Sequence, residues 1–175
     1  MEKFSITNVF GGLKIIEPLC HKDSRGSFTE LYNISDFENI EGLPTEFKQI
    51  NHSVSNYGVL RGMHYQKEHP QGKLATVIKG SVYDVAIDIR KDSPTYGKWY
   101  SVELNEENGK LFWIPKGFAH GFISLKDDSH FVYFCDEIRY AGDEYGISYK
   151  SFNLTLPIEP KIISERDMQH ETLML

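Results

Sequence analysis

The sequence predicts an all-β protein built as a sandwich or barrel, and three observations support this. Residues 81–89 alternate between two sets of side chains with a period of two, which is typical of a strand with two different faces. Similar short runs follow along the chain, separated by turn-forming clusters such as Asp92-Ser93-Pro94. Helical periodicity is scarce. Many short strands at this spacing favour a sandwich or a barrel.

Each predicted element is a short segment bounded by turn signals. The predicted strands are residues 26–32, 47–54, 58–66, 74–78, 81–89, 98–104, 111–114, 121–125 and 130–136. One short helix is predicted over residues 34–40, with Ser35 as its N-cap because a serine hydroxyl accepts a hydrogen bond from a first-turn N–H. The tail after Tyr145 is expected to be irregular, with prolines at 157 and 160.

Size and composition narrow the class of protein. A chain of 175 residues is expected to form one domain with a sizeable core, and its net charge of -6 argues against general nucleic-acid binding. The N-terminus does not read as a signal peptide, and no apolar run approaches the roughly 20 residues that span a bilayer. Cys20 and Cys135 are too few for a disulfide framework, and the apolar run around Cys135 predicts a buried thiol. We therefore expect a cytoplasmic protein.

Two histidines stand among groups that can move protons. His64 lies in a glycine-flanked predicted strand, and His120 follows a proline and a glycine in IPKGFAHGF. Between them lie Lys73 and a strand that carries Asp84 and Asp88. Imidazole, ammonium and carboxylate groups on a strand-rich scaffold are suited to proton transfer at neutral pH. The same groups can form a metal site or serve as hydrogen-bonded structural residues.

The spacing of the histidines supports a metal site less well than it supports proton transfer. Metal sites in sandwiches commonly use two histidines two residues apart, because strand alternation puts such residues on one face. His64 has no histidine two residues away. Glu68 and His69 follow it in a segment expected to be an exposed loop, so only His120 has a site-like context.

Strand alternation leaves the direction of several side chains open. His64 shares a face with Gly62 and Gln66 in a regular strand, so Arg61 points the other way unless a bulge at Gly62 redirects it. Asp84 and Asp88 share one face of their strand. That face is either solvated, or it is the inner face with both carboxylates paired.

A third group of residues is polar and mixed. It consists of Arg25, Glu30, Gln49, Asn51 and Arg61. Gln49 and Asn51 are expected to share a strand face. Amides can bind the edge of a flat heterocycle, and arginines bind phosphates through paired hydrogen bonds. The alternative is that these side chains only keep an edge strand soluble.

Longer stretches of the chain match one family. They are residues 23–26 (DSRG), 49–53 (QINHS), 59–66 (VLRGMHYQ), 71–74 (QGKL), 84–97 (DVAIDIRKDSPTYG), 113–122 (WIPKGFAHGF) and 131–133 (FVY). With these residues the chain resembles the dTDP-4-dehydrorhamnose 3,5-epimerase family of the cupin superfamily. The resemblance implies a cupin-type double-stranded β-helix, or jelly-roll sandwich, with short flanking helices. It also implies a single domain over residues 1–175, a homodimer, and no cofactor or metal.

The resemblance also implies roles for individual residues. His64 matches the general base that removes a proton beside the sugar ketone, and Asp167 matches the carboxylate that orients it. From its position alone Asp167 would be an ordinary surface residue. Tyr133 matches the general acid on the opposite face. Lys73 and His120 match groups that bind near the ketone oxygen and the ring.

Further matches concern the nucleotide. Arg25, Glu30, Gln49, Asn51 and Arg61 match the residues that hold the nucleoside diphosphate, partly across a dimer interface. Glu144 and Arg166 match additional substrate contacts. One departure is notable, because the family often has an aromatic residue six positions after Tyr133, where this chain has Arg139.

The function implied is epimerisation of a nucleoside-diphosphate 4-keto-6-deoxyhexose, a dTDP sugar in this family, at C3 and C5 or at C3 only. Two alternatives are a metal-dependent cupin isomerase or dioxygenase, and a non-catalytic cupin that binds sugar nucleotides. Retention of His64, Lys73, Tyr133 and Asp167 together argues against the non-catalytic alternative, because a binding module needs no acid–base pair. No nucleic-acid or membrane partner is expected.

Overall fold

Two antiparallel sheets form the body of the protein. The structure is a computed structural model that describes residues 3–174. Its strands, in chain order, are β1 (Phe4–Asn8), β2 (Lys14–Pro18), β3 (Cys20–Asp23), β4 (Gly26–Thr29), β5 (Gln49–Ser55), β6 (Val59–Gln66), β7 (Lys73–Lys79), β8 (Ser81–Asp88), β9 (Trp99–Asn105), β10 (Leu111–Ile114), β11 (Phe118–Ser124), β12 (Ser129–Cys135), β13 (Glu144–Gly146) and β14 (Ile162–Ile163). Two short helices are α1 (Ile34–Phe37) and α2 (Glu165–Met168).

The strand order defines a jelly-roll sandwich. One sheet runs β1-β2-β10-β7-β12-β5, and the other runs β13-β6-β11-β8-β9. Strand β14 pairs with β6 in parallel, whereas β3 and β4 form a separate two-stranded hairpin. The predicted all-β, cupin-type sandwich is confirmed. No helix among residues 3–174 is long and apolar enough to cross a bilayer.

The core lies between the two sheets, and β8 shows how the sequence places it. Val82 and Ala86 belong to the cluster between the sheets, together with Phe112 and Phe131 of the facing sheet. Val85, on the opposite face of β8, packs in a second cluster with residues of the C-terminal tail. The predicted alternation is therefore confirmed, and burial of apolar surface on both faces stabilises this central strand.

The same alternation decides the position of two carboxylates. Asp84 and Asp88 lie on the inner face of β8 and are both 0% exposed. The solvated outer face is therefore wrong for both. Each is paired, as a buried carboxylate must be: Asp84 with His120, and Asp88 with Arg90.

Several predicted boundaries are wrong. Helix α1 ends at Phe37 rather than at residue 40, and its N-cap is Asn33 rather than Ser35. Asn33 has an extended backbone and its side chain accepts a hydrogen bond from the Ser35 N–H at 3.0 Å, so Ser35 already lies inside the helix. Strand β4 ends at Thr29 rather than at 32, and β11 begins at Phe118 rather than at 121.

The N-terminal strands and the tail also differ from the prediction. Strands β1, β2 and β3 were absent from the predicted set. The tail is not irregular throughout, because it contains β14 and α2, and its residues cover the outer face of the second sheet. Cys135 is buried, as predicted.

Candidate active site

An open cleft of about 610 Å³ lies between the two sheets. It is lined by strands from both sheets and by the segment around α2. Seven of the predicted site residues line it: Arg61, His64, Lys73, His120, Tyr133, Arg166 and Asp167. Apolar side chains such as Phe122 and Phe131 form part of its wall. A mixed polar and apolar cleft of this size can hold a small organic molecule.

A bulge in β6 brings Arg61 and His64 to the same cleft. His64 pairs with His120 and Arg61 pairs with Phe122, so β6 has one residue more than β11 over this stretch. Gly62, inside the bulge, has φ of 114°, and a Cβ there would lie 2.7 Å from the backbone of Gly121. Only glycine fits this position. The bulge that was the alternative to regular alternation is confirmed.

His64 and Asp167 form a closely bound pair. Nε2 of His64 lies 2.6 Å from Oδ1 of Asp167, and the Gly62 N–H donates to Oδ2 at 3.0 Å. The carboxylate thus holds the imidazole with its Nε2 turned towards Asp167. No hydrogen bond engages Nδ1 of His64 within residues 3–174, so this nitrogen is available to a ligand. Its side chain is 37% exposed.

Asp167 is buried at 6% exposure, which overturns the expectation of an ordinary surface aspartate. The Ser164 side chain caps the first turn of α2 by accepting a hydrogen bond from the Asp167 N–H. This turn places the Asp167 carboxylate against Gly62 of β6. Burial by itself would raise the pKa of Asp167, but hydrogen bonds from His64 and Gly62 outweigh it and lower the pKa to about 2. The carboxylate is therefore ionised at neutral pH.

His120 forms a second, more deeply buried pair. Its Nε2 lies 2.7 Å from Oδ1 of Asp84, and the residue is 6% exposed. The ring lies near Phe131 and Tyr133, with centroid distances of 6.0 and 6.4 Å. Such enclosure fixes the orientation of His120 at the cleft wall.

Lys73 and Tyr133 come from neighbouring strands of the first sheet. Burial lowers the pKa of the Lys73 ammonium, and the negative charge of nearby groups opposes that effect. The ammonium makes no ion pair with any residue between 3 and 174, so a ligand can engage it. Burial raises the pKa of Tyr133, which keeps its hydroxyl protonated at neutral pH.

The polar residues of β5 lie beside Tyr133. Gln49 donates from Nε2 to Oδ1 of Asn51 at 2.9 Å, which confirms that the two share a face. Asn51 is the register partner of Tyr133 on β12. The Arg61 guanidinium donates to Ser55 Oγ at 3.0 Å at the cleft wall.

Three charged residues form a network at one side of the cleft. Arg139 Nη2 and Arg166 Nη1 lie 2.5 and 3.5 Å from Oε2 of Glu144. Burial raises the pKa of Tyr133, and the nearby positive charge of Arg139 opposes part of that effect. The adjacent Tyr140 instead stacks on His69, with ring centroids 3.8 Å apart.

Arg25 and Glu30 lie outside this cleft. Arg25 is at the turn of the β3–β4 hairpin, where it pairs with Asp23 and has a side chain that is 88% exposed. Glu30 follows the hairpin and pairs with Lys3 at 3.3 Å. Within one chain, the structure does not bring either residue to His64.

One residue at the site was not predicted from the sequence. Nε2 of His170 lies 3.5 Å from Oδ1 of Asp167, and its ring meets the His64 ring edge to face at 5.8 Å. The available signal was its position three residues after Asp167, which puts both on one side of a helical turn. Ligand atoms of His64, Asp167 and His170 lie within 4.8 Å of one another, and among residues 3–174 these three could hold a metal ion.

Comparisons with known proteins agree on one family. The family model described as dTDP-4-dehydrorhamnose 3,5-epimerase matches residues 7–174. A dTDP-4-dehydrorhamnose 3,5-epimerase of Shigella flexneri is 48% identical over 157 residues, covering 88% of this chain and 87% of that protein.

Solved structures give the same result. An RmlC 3,5-epimerase of Legionella pneumophila, in complex with dTDP-4-keto-L-rhamnose, has a TM-score of 0.92 and 41% identity, covering 97% of this chain and 92% of its own. ChmJ, a 3'-monoepimerase of Streptomyces bikiniensis in complex with dTDP-quinovose, has a TM-score of 0.86 and 32% identity, covering 98% of this chain and 87% of its own.

Proposed function

Since this chain belongs to the dTDP-4-dehydrorhamnose 3,5-epimerase family, we propose that it epimerises a dTDP-4-keto-6-deoxyhexose at C3 and C5. The observation that carries the proposal is the His64–Asp167 pair, with a hydrogen-bond length of 2.6 Å and with Nδ1 left to the cleft. This chain is 48% identical to the Shigella 3,5-epimerase and 32% identical to the 3'-monoepimerase. The difference supports inversion at both C3 and C5 rather than at C3 alone.

The first step is removal of a carbon-bound proton by Nδ1 of His64. A C–H beside a ketone is acidic because the resulting anion spreads onto the oxygen. Asp167, ionised and fixed by Gly62, stabilises the imidazolium that forms. The bond broken is C–H, and its electron pair becomes part of the enolate.

The enolate oxygen needs a positive group. Lys73 lines the cleft without an ion pair inside residues 3–174, which leaves its ammonium to the substrate. A positive charge placed beside the atom where negative charge develops commonly stabilises the transition state more than any other single interaction. The buried His120–Asp84 pair is placed to orient the sugar beside it.

The second step returns a proton to the opposite face of the sugar. Tyr133 belongs to β12 of the first sheet, whereas His64 belongs to β6 of the second, so the two side chains enter the cleft from different sheets. Burial raises the pKa of Tyr133 and keeps the hydroxyl available as an acid. Protonation from this side inverts the centre. The imidazolium of His64 then loses its proton to solvent and Tyr133 regains one from it, so the overall reaction consumes no co-reactant.

Substrate binding is proposed to involve two chains. Gln49, Asn51, Arg61, Glu144 and Arg166 lie at or beside the cleft, whereas Arg25 and Glu30 lie on or beside the projecting hairpin. Phe28 of that hairpin is 69% exposed, which is unusual for a large apolar side chain. We propose a homodimer in which this hairpin completes the partner's nucleotide site.

Coexpression of two defective variants tests this arrangement. His64→Ala and Arg25→Ala homodimers are both expected to be impaired. A mixed dimer contains one site with both native residues if Arg25 acts across the interface, so coexpression should recover activity. Failure to recover activity, or a monomer in light scattering, would contradict the dimeric site.

We also propose that the enzyme acts in the cytoplasm. Cys20 is an exposed free thiol and Cys135 a buried one. Free thiols persist in reducing compartments, which supports a cytoplasmic location.

Proton NMR in D₂O is the direct test of the activity. The purified protein is incubated with dTDP-4-keto-6-deoxyglucose, and loss of the H3 and H5 signals is followed together with the coupling constants of the product. Exchange and inversion at both centres are expected. Loss of the H3 signal alone would indicate a C3 epimerase, and binding without exchange would indicate a non-catalytic protein.

A further inference from the structure

Two histidines face each other on the outer surface of the first sheet. His52 belongs to β5 and His130 to the neighbouring strand β12. Nε2 of His52 lies 3.1 Å from Nδ1 of His130, and the ring centroids are 5.0 Å apart. Phe131, the next residue along β12, packs in the core between the sheets, so strand alternation places His130 on the opposite, outer face. This pair is therefore separate from the cleft that holds His64.

A carboxylate fixes which nitrogen of His130 carries the proton. Nε2 of His130 lies 3.1 Å from Oδ1 of Asp128, and Oδ2 of Asp128 pairs with the Lys79 ammonium at 2.5 Å. An ionised carboxylate only accepts hydrogen bonds, so the N–H of the neutral His130 ring is at Nε2. Nδ1 of His130 is left with a lone pair, and this lone pair faces His52.

Histidine ligands of metal ions have the same arrangement. A ligating imidazole binds the ion through one nitrogen and commonly donates from the other to a carboxylate, which fixes the ring and makes the ligand more basic. Two nitrogens about 2.1 Å from one zinc ion, at an angle of about 90–110°, are about 3.0–3.4 Å apart. The separation of 3.1 Å between His52 and His130 falls within this range. His52 is exposed, so its ring can turn to direct Nε2 at the ion.

We propose that Nε2 of His52 and Nδ1 of His130 bind one divalent transition-metal ion of the zinc class, with Asp128 as the carboxylate behind His130. Imidazole nitrogen suits zinc, nickel and copper, whereas magnesium and calcium prefer oxygen ligands. Water completes the coordination, because no third histidine, cysteine or carboxylate among residues 3–174 comes within ligand distance of both rings. The proposal goes beyond the proposed epimerisation and does not depend on it, since the pair lies outside the cleft.

Binding of the ion changes the proton on one ring only. Without metal, the Nε2–H of His52 can donate to Nδ1 of His130 and hold the two rings together. With metal, neutral His52 carries its proton on Nδ1 and turns the lone pair of Nε2 to the ion. His130 keeps its proton on Nε2, where Asp128 accepts it. Neither strand has to move for the ion to bind.

Isothermal titration calorimetry with zinc chloride tests the proposal on protein first freed of metal with EDTA and then of the chelator. The titrations use the His64→Ala protein, because His64 belongs to the other candidate group of metal ligands. One zinc ion per chain is expected to bind. His52→Ala and His130→Ala, each added to this background, are expected to abolish that binding. Magnesium is expected not to bind to the pair.

Two further variants make the result specific. Asp128→Asn removes the negative charge behind His130, and asparagine tolerates the left-handed backbone of residue 128, whose φ is 52°. Zinc affinity is expected to fall about 10–100-fold, the usual effect of removing such a carboxylate. His21→Ala replaces an exposed histidine of β3 and is the matched control, with unchanged affinity expected. Circular dichroism checks that each variant is folded.

Each other outcome counts against the site. Absence of zinc binding in the His64→Ala protein overturns the proposal, as does binding that persists in His52→Ala or in His130→Ala. An equal loss of affinity in His21→Ala overturns it as well, because the loss would not be specific to the pair. Unchanged zinc affinity in Asp128→Asn overturns the role given to that carboxylate.

Discussion

His64 and His120 occupy paired positions on the neighbouring strands β6 and β11, and each is bound by a carboxylate from a different element. Their exposure differs: the His64 side chain is 37% exposed and that of His120 is 7% exposed. The exposed imidazole can reach a carbon-bound proton, whereas the enclosed one is restricted to orienting a ligand. In the proposed mechanism His64 is therefore the base and His120 a binding group.

Replacing the base is expected to remove the chemistry and keep binding. His64→Ala should lower H3 and H5 exchange by about 10²–10⁴-fold, the usual contribution of a general base. The affinity for dTDP, measured by calorimetry, should change little. His52→Ala, on the outer face of β5, is the control. Turnover at the wild-type rate in His64→Ala would remove this residue from the mechanism.

Replacing the acid is expected to separate exchange from inversion. In Tyr133→Phe, His64 can still remove a proton and return a solvent deuteron on its own face, but the opposite face has lost its donor. NMR should therefore show continued exchange with slower formation of the inverted sugar. An equal fall in both rates would show that Tyr133 is not the opposing acid.

Chelation is expected to leave the activity intact, because Lys73 is assigned to the enolate. The rate of exchange is measured before and after prolonged dialysis against EDTA, with metal content determined in parallel. Loss of activity that zinc, iron or manganese restores would instead favour the metal-dependent cupin, with His64, Asp167 and His170 as candidate ligands.

Arg139 is expected to affect nucleotide affinity. It stands at the position where the family often has an aromatic residue, and its side chain is held by Glu144 at 2.5 Å. An aromatic ring stacked on a base contributes roughly 1–3 kcal/mol in nucleic-acid complexes. Arg139→Tyr should therefore tighten dTDP binding in calorimetry. Unchanged or weaker binding would show that position 139 does not contact the base.

Asp88 is expected to make the fold sensitive to acid. Burial would raise the pKa of Asp88, but hydrogen bonds from Arg90, Thr95 and Ser93 lower it to about 2, below the ordinary 3.8. Because the folded-state pKa is the lower one, this stabilisation is present above pH 4 and is lost as the pH falls towards 2. The loss amounts to about 2 kcal/mol.

Denaturant unfolding at pH 5, 4, 3 and 2 measures this effect. Asp88→Asn should be less stable than the wild type at pH 5, and the difference should shrink as the pH falls. The exposed Asp92→Asn is the matched control. A constant difference between Asp88→Asn and the wild type across this range would contradict the assignment.

The sequence alone determined the features that repeat locally. Alternation along β8 predicted which of its residues share a face, and the two-residue spacing of Gln49 and Asn51 predicted that these two do so as well. These predictions succeed because a strand places residues i and i+2 on one side whatever it packs against. The resemblance to the family implied the proposed roles of His64, Lys73 and Tyr133, and it pointed to Asp167 where the local pattern did not.

Only the tertiary structure decided which distant groups meet. Asp167 lies 103 residues from His64 along the chain and reaches it because β14 pairs with β6 and α2 follows. The extra residue in β6 turns Arg61 towards the cleft, and burial of the inner face pairs Asp84 with His120. These contacts depend on how the tail and the two sheets pack, and no local preference of the chain encodes that packing.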